Sequence, residues 1–374
     1  MDVEFLDNRM VEAARKGEID LVKNYPCGLN CPGCFSEAPV FGDRKRLMKW
    51  QEVFEVIDDA REIGLTSIKF LGPGELFNNQ DLFNILDACE ERGLGISVFT
   101  KGAEMGDDNL AKKHYGHLGI NTAKELVERL SAYKTLRILL GFNSFDADRQ
   151  NRMVGSFNKA TNYEIEGLTF KNRGVVNYTQ KRDAALKNLT DAGFNDPKHG
   201  QRLTLVATPL RVDQLDEIAD MYVWAARRNI PLITAPTMES GEKSLKLAKS
   251  NSSKDPNHEA VTDMYTAIYQ RAIDEGIMTR EQIRQQGISS YPGTAPCNQV
   301  ANGLFLRLNG QVQMCPGRSS DDAIYGNTHN TPIAQIWTES WNYGQGPKMN
   351  NWCPAKKQGM PPEIIGKIKE GLGL

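Results

Sequence analysis

From residue 49 to residue 234, short runs of β-forming residues alternate with amphipathic helical stretches, and this alternation constrains the fold more than any other feature. Trp50, Val53, Phe54, Ile57 and Ala60 recur mostly three and four apart, which predicts a helix over residues 49–63. Thr66-Ser-Ile-Lys-Phe-Leu71 then reads as a strand. The pair repeats: a helix over 81–92 ended by Gly93 as a C-cap, a strand over 95–100, a helix over 122–133 and a strand over 136–144. A helix over 180–192 ended by Gly193, a strand over 202–207, a helix over 212–228 and a strand over 231–234 follow. With a first strand over 19–24, the chain holds six such units. Strands joined through helices run parallel with right-handed crossovers, and six are too few for a closed eight-stranded barrel.

Chemistry in parallel barrels gathers at the C-terminal ends of the strands, and the distinctive residues fall there. Cys27-Gly-Leu-Asn-Cys31-Pro-Gly-Cys34-Phe35 follows the first strand and Gly72-Pro73-Gly74-Glu75 the second. Thr100-Lys101 follow the third, Asn143-Ser144 the fourth, Thr208 the fifth and Pro236-Thr-Met-Glu239 the sixth. Three thiols within eight residues can turn toward one inorganic core, and thiolates are the usual ligands of iron–sulfur clusters. Most four-iron clusters take four cysteines, and no fourth lies nearby, so one iron is left for a non-protein ligand. A zinc knuckle is the competing reading, but zinc sites pair two Cys or His arms and no second arm is close.

Cys-x3-Cys-x2-Cys after a first strand resembles the signature loop of the radical S-adenosylmethionine (SAM) enzymes. The resemblance implies a partial (β/α)6 barrel of class α/β and a [4Fe-4S] cluster held by Cys27, Cys31 and Cys34, with SAM chelating the open iron through its amino and carboxylate groups. In that family, reduction of the cluster cleaves SAM to a 5′-deoxyadenosyl radical that abstracts a hydrogen atom. Gly72 to Glu75 resembles the family's Gly-Gly-Glu segment, with Pro73 in place of the second glycine. Backbone carbonyls of Gly72, Pro73 and Gly74, and the Glu75 side chain, would then accept from the SAM ammonium, which needs acceptors once desolvated. The same four residues also suit an ordinary βα turn. Asn143 and Ser144 stand where the family binds the SAM ribose or carboxylate, or else form a strand-ending turn with Asp146 as an N-cap. Thr208 and Glu239 on the same rim face SAM or substrate; Lys101 and Arg152 are carboxylate partners or solvated cations. The chain departs from the family at Gly33, where an aromatic residue is frequent, leaving adenine to pack on Phe35 or on backbone.

Residues 101–121 and 146–179 exceed ordinary βα loops and read as substrate lids carrying His114, His117, Arg149 and Arg152. A polar loop over 241–257 leads to helices over 258–275 and 279–286. Two alternating runs then flank Asn309-Gly310, a tight-hairpin signal, between Cys297 and Cys315. A helix over 332–341 and Cys353 follow. Cys297, the hairpin and Cys315 resemble the opening of the SPASM and twitch extensions, which implies an auxiliary [4Fe-4S] cluster on Cys297, Cys315 and Cys353. Structural cysteines are the alternative. Cys89 lies in a predicted helix and is expected to act as a small hydrophobe. The expected division is a radical SAM barrel over 1–240, a helical linker over 241–290 and a twitch- or SPASM-like domain over 291–374.

Composition narrows the function classes. The 374 residues are 40% hydrophobic and 25% charged, ordinary for a soluble globular protein, and a net charge of −2 supports neither a nucleic-acid nor an anionic-membrane partner. No run of roughly 18 apolar residues is present, and the acidic N-terminus is no secretory signal. Seven cysteines in such a chain argue against a disulfide scaffold and for a reducing cytoplasm. The resemblance implies hydrogen abstraction from a small polar biosynthetic substrate (sugar, aminocyclitol or nucleoside), with net oxidation, the auxiliary cluster accepting the electron and flavodoxin or ferredoxin as donor. Modification of a ribosomal peptide or protein is the runner-up, and a non-catalytic iron–sulfur electron-transfer protein is the alternative of another class.

Overall fold

The computed structural model describes residues 2–6, 27–34, 48, 50–71, 74–156, 162–165, 168–171, 175–234, 257–293, 303–307, 309–317, 323–343 and 362–374. Strand β1 (Asp2–Leu6) precedes helix α1 (Trp50–Glu62), β2 (Ser67–Phe70), α2 (Leu82–Glu91) and β3 (Gly95–Thr100). Next come α3 (Asp108–Tyr115), α4 (Ala123–Ser131), β4 (Leu136–Gly141) and α5 (Ala147–Val154). A two-stranded hairpin, β5 (Asn162–Ile165) and β6 (Leu168–Lys171), leads into α6 (Tyr178–Asp191), β7 (Leu203–Ala207), α7 (Leu215–Ala226) and β8 (Leu232–Thr234). The remainder holds α8 (His258–Asp274), α9 (Arg280–Gln286), β9 (Gly303–Leu306), β10 (Gln311–Gln313), β11 (Ile324–Asn327), α10 (Ile333–Glu339) and α11 (Pro362–Leu372).

Among the described residues the main sheet has the order β11-β10-β9-β1-β2-β3-β4-β7-β8. It is parallel from β9 to β8 and antiparallel across β9, β10 and β11. The expected βα alternation therefore becomes a parallel partial barrel extended by the expected C-terminal hairpin. Ile68, Phe70, Ile96 and Val98 alternate along β2 and β3 toward one fully buried layer, while Ser67, Lys69, Ser97 and Phe99 on the other face are only half-buried. That alternation gives the sheet one face packed into the core and one face less covered.

The structure departs from the sequence expectation in several places. The expected strand over 19–24 lies outside the described residues, and the place beside β2 is held by β1, with Val3 opposite Ile68. Nothing local marks β1, because both its partners, β2 and β9, are distant in sequence. Residues 101–121 are no lid. They form a 3-10 turn, Ala103–Met105, and α3, with Met105 and Tyr115 fully buried and the Tyr115 ring edge-on to Phe83 at 5.7 Å. Met264, Tyr265, Ile268 and Tyr269 of α8 belong to the same hydrophobic core as the barrel strands. The unpredicted α11 packs on α8 through Ile364, Ile368 and Leu372, spaced four apart. Gly310 turns the β9–β10 hairpin at a φ of 77°, the left-handed geometry for which glycine is suited. No helix among the described residues is long and apolar enough to cross a membrane.

Candidate cofactor site

The cysteine loop is held by backbone bonds and by one apolar anchor. The Cys34 N–H donates to the Cys31 carbonyl at 3.1 Å, closing a turn through Pro32 and Gly33. The Asn30 N–H donates to Val154 O at 3.2 Å, and the Val175 N–H donates to Gly28 O at 3.0 Å. Leu29 packs with Val154 and Tyr178, flanked by Cys27, Cys31 and Val175. A Cβ on Gly28 would sit 2.4 Å from Val175 Cγ2, and one on Gly33 would sit 2.9 Å from Pro209 Cγ. The departure at Gly33 therefore has a steric reason: the ring of Pro209, beyond β7, fills the space a side chain would need. Gly33→Phe is expected to destabilise the protein by about 1–3 kcal/mol, as overpacking does, read as a lowered melting temperature by circular dichroism.

Tyr178 joins this loop to the rim. Its hydroxyl lies 2.9 Å from Lys101 O and 3.1 Å from Gly141 O, so the residue under the cysteines also ties the ends of β3 and β4. Glu75, beyond β2, is buried and accepts from the Lys101 N–H at 2.9 Å and the Phe77 N–H at 3.3 Å. Burial raises its pKa, against the pull of the Lys101 N–H. Burial likewise pushes the Cys27 thiol up, reinforced by the charges of Cys31 and Glu75. Three cysteine sulfurs carried by one tight loop, once deprotonated, are a donor set that suits the cationic core of an iron–sulfur cluster. Among the described residues no group of three or more Cys, His, Asp or Glu side chains converges tightly enough for a single metal ion.

The end of β4 carries a polar network. Gln150 Oε1, fully buried, accepts from the Asn143 N–H at 2.7 Å, the Ser144 N–H at 3.2 Å and Arg182 Nη1 at 2.7 Å. Ser144 Oγ donates to Glu217, which also accepts from the Phe145 N–H at 3.1 Å and Arg149 Nη1 at 2.8 Å. Asn143 Nδ2 donates to Thr208 O at 2.9 Å, so the ends of β4 and β7 are drawn together. Asp146 caps α5 by accepting from the Arg149 N–H at 2.6 Å. Thus Asn143, Thr208 and Glu75 stand on one rim with the cysteine loop, while the Ser144 hydroxyl is engaged with Glu217. Arg152 is exposed on α5. Gly74 adopts a φ of 96° before Glu75. Phe35, Gly72, Pro73, Glu239, Cys297 and Cys353 lie outside the described residues. Cys315 is buried beside Met314 and Ala323, and its Sγ accepts from the Gly317 N–H at 3.1 Å.

Sequence reasoning missed Glu104. It is 3% exposed and one of its carboxylate oxygens has no hydrogen-bond partner. Burial, and next the Glu75 carboxylate, raise its pKa from 4.5 to about 8. No spacing marks this residue; only the fold brings it behind Glu75. A carboxyl with a raised folded pKa favours the native state fully below pH 4.5 and loses that contribution as pH climbs through about 8. Each pH unit in the window costs about 1.4 kcal/mol. Glu104→Gln is neutral and near-isosteric, so its melting temperature should exceed that of wild type by a margin that grows across this window; a constant margin would contradict a protonated Glu104.

No family model matches the sequence. In fold the chain is similar to anSMEcpe with bound AdoMet, at 12% identity over 94% of each chain with a TM-score of 0.57. The same protein with AdoMet and the Cp18Cys peptide matches at 12% identity over 94% of each chain, with a TM-score of 0.56. SuiB of Streptococcus suis, bound to precursor peptide SuiA, matches at 17% identity over 86% of this chain and 64% of that one, with a TM-score of 0.44. This chain therefore spans less than two thirds of SuiB's length. The likeness is one of fold: this is an α/β partial-barrel protein with the architecture of AdoMet-bound anSMEcpe.

Proposed function

We propose that this chain is a radical SAM enzyme, and the observation that carries the reading is the three-cysteine loop seated at the C-terminal rim of a parallel partial barrel, against Glu75, Tyr178 and Pro209. Cys27, Cys31 and Cys34 would hold the [4Fe-4S] cluster. When bound, the cluster supplies the electron that cleaves SAM to a 5′-deoxyadenosyl radical able to take a hydrogen atom from substrate. Gly74 and Glu75 stand where an ammonium would find acceptors, and Asn143 and Thr208 supply polar groups beside them. Leu29, Val154 and Tyr178 pack beneath the loop and shield its inner side from water. Cys315, with the Gly317 N–H on its sulfur, and the hairpin that carries it support an auxiliary cluster completed by Cys297 and Cys353. N–H bonds to a cluster sulfur are one of the levers that set its potential.

For the substrate, the reading is a small polar biosynthetic molecule that undergoes net oxidation, with a flavodoxin or ferredoxin as electron donor. Peptide modification is the second reading, favoured by the shared fold with a protein whose structure holds AdoMet and a peptide. Anaerobic reconstitution should load about eight irons for two four-iron clusters. Reduction in the presence of SAM should release 5′-deoxyadenosine; cluster-loaded protein that releases none would favour the electron-transfer class. Incubation with candidate sugars or nucleosides on one hand and short peptides on the other, read as deuterium transfer into 5′-deoxyadenosine, separates the two substrate readings.

A further inference from the structure

A cavity of about 250 Å³ lies at the N-terminal ends of β7 and β8, the opposite strand ends from the cysteine loop. Its buried lining is Tyr222 of α7, Ile230 before β8, Met278 between α8 and α9, and Pro292. Gly293 stands against them at a φ of 74°. A Cβ there would lie 3.1 Å from the Tyr222 hydroxyl and 3.7 Å from Met278 Sδ, so a side chain at 293 would take up part of this space. Four carboxamides complete the lining. Gln201 and Asn229 precede β7 and β8, and Gln282 and Gln286, four apart, are neighbours on one face of α9. Asn229 is already engaged: its Oδ1 accepts from Gln201 Nε2 at 3.0 Å and its Nδ2 donates to Asn195 O at 2.6 Å. Gln282 Oε1 accepts from the Thr279 N–H at 2.8 Å. Gln201 Oε1, Gln282 Nε2 and the whole Gln286 carboxamide have no partner among the described residues. None of the described lining residues is Lys, Arg, His, Asp or Glu.

We propose that this cavity binds a neutral nucleobase, free or as its nucleoside, at a site separate from the cysteine loop and independent of the SAM reading. A charged ligand would lose hydration here without meeting an opposite charge. A carboxamide carries a donor and an acceptor in one plane, and the edge of a base carries the same kind of pair. Gln286 matches such an edge with both its groups, while Gln201 offers an acceptor and Gln282 a donor to the remaining positions. A peptide group, whose N–H and C=O point to opposite sides, meets one carboxamide with only one of its two groups. Ile230, Met278 and Pro292 give apolar surface for the ring faces. The volume of about 250 Å³ lies just under the ~300–1,000 Å³ of drug-sized pockets, which suits a base with or without its ribose and excludes a dinucleotide.

Adenine, cytosine, uracil and their nucleosides are titrated by calorimetry into iron-loaded protein saturated with SAM, so that an adenine site beside the cysteine loop is already filled. At least one base binds. Gln286→Met and Gln201→Met, close in volume but without the carboxamide, each weaken it about three- to tenfold, the range of one neutral hydrogen bond. Ala226→Leu, which puts a larger side chain into the cavity from the last residue of α7, abolishes binding. Iron content and SAM cleavage stay at the wild-type level in all three. The 5′-monophosphate of the base that binds best gains no affinity over its nucleoside. Failure of every base to bind at millimolar concentration overturns the proposal, as does binding that the variants leave unchanged. Tighter binding of the monophosphate overturns the neutral class. If Ala226→Leu does not fold, the two methionine variants, both at exposed positions, decide. Protein that takes up no SAM contradicts the SAM reading alone, because the variants still locate the base.

Discussion

Cys27→Ala is expected to abolish release of 5′-deoxyadenosine and to remove the iron held by the loop, while the protein still folds. Two of three thiolates hold a four-iron cluster poorly, and no other described cysteine stands near enough to replace the third. The fold survives because the loop is anchored by backbone bonds that do not involve the Cys27 sulfur, from the Asn30 and Val175 N–H groups, and because Leu29 keeps its packing on Val154 and Tyr178. Melting temperature and iron content, measured on one sample, should therefore separate, with iron falling and stability moving by less than about 1 kcal/mol. Cys89 in α2 provides the opposite case. It is fully buried, and burial raises its thiol pKa to about 12, so it remains a neutral core group. Cys89→Ala should leave iron and SAM cleavage intact and cost about 1 kcal/mol of stability through the lost sulfur packing. Full SAM cleavage by Cys27→Ala would remove the three-cysteine loop from the mechanism.

The largest loss of stability is expected from Gly106→Ala. Gly106 follows the Ala103–Met105 turn, and its α-carbon meets the first turns of α6 without a side chain between them. A Cβ there would lie 1.8 Å from Lys181 O and 2.8 Å from Ala185 N, both backbone atoms that no rotamer change can move. The turn and the helix must separate, which also pulls Asn188 Nδ2 from its 2.8 Å bond to Met105 O. Destabilisation of about 3 kcal/mol or more is expected, the upper end for overpacking, measured by chemical denaturation. Gly366 in α11 provides the control. Nothing lies within 4 Å of a Cβ built there, so Gly366→Ala should stabilise by up to about 1 kcal/mol through helix propensity alone. Equal effects at the two positions would contradict the packing of α6 on the turn.

The elements legible in the sequence were those with a local period. β3 is observed at residues 95–100 as expected, and α1, α2, α4 and α6 lie within about two residues of their predicted ends, because apolar spacing and glycine caps are written within each segment. β1 was not read, since its pairing with β2 and β9 joins stretches far apart in the chain, and α3 was not read, since its one large buried residue, Tyr115, is held by Phe83 and the Phe77 carbonyl in an earlier segment. α11 carries a four-residue apolar period that would have marked it. The site divides in the same way. The thiol spacing of Cys27, Cys31 and Cys34 and the turn before Glu75 are continuous stretches and could be read directly. The burial of Glu104 behind Glu75 and the ring of Pro209 against Gly33 could not.

By itself the sequence determined the parallel βα architecture, the hairpin at Asn309-Gly310 and the thiol donor set, because periodicity and ligand spacing are properties of neighbouring residues. Only the tertiary structure decided how that donor set is supported. Tyr178 reaches Lys101 across 77 residues and Asn143 reaches the Thr208 carbonyl across 65, separations at which no local pattern records a contact. Burial then alters what those groups do: it raises the Cys27 thiol and the Glu75 and Glu104 carboxyls, because desolvation depends on everything packed around a group and not on its place in the chain.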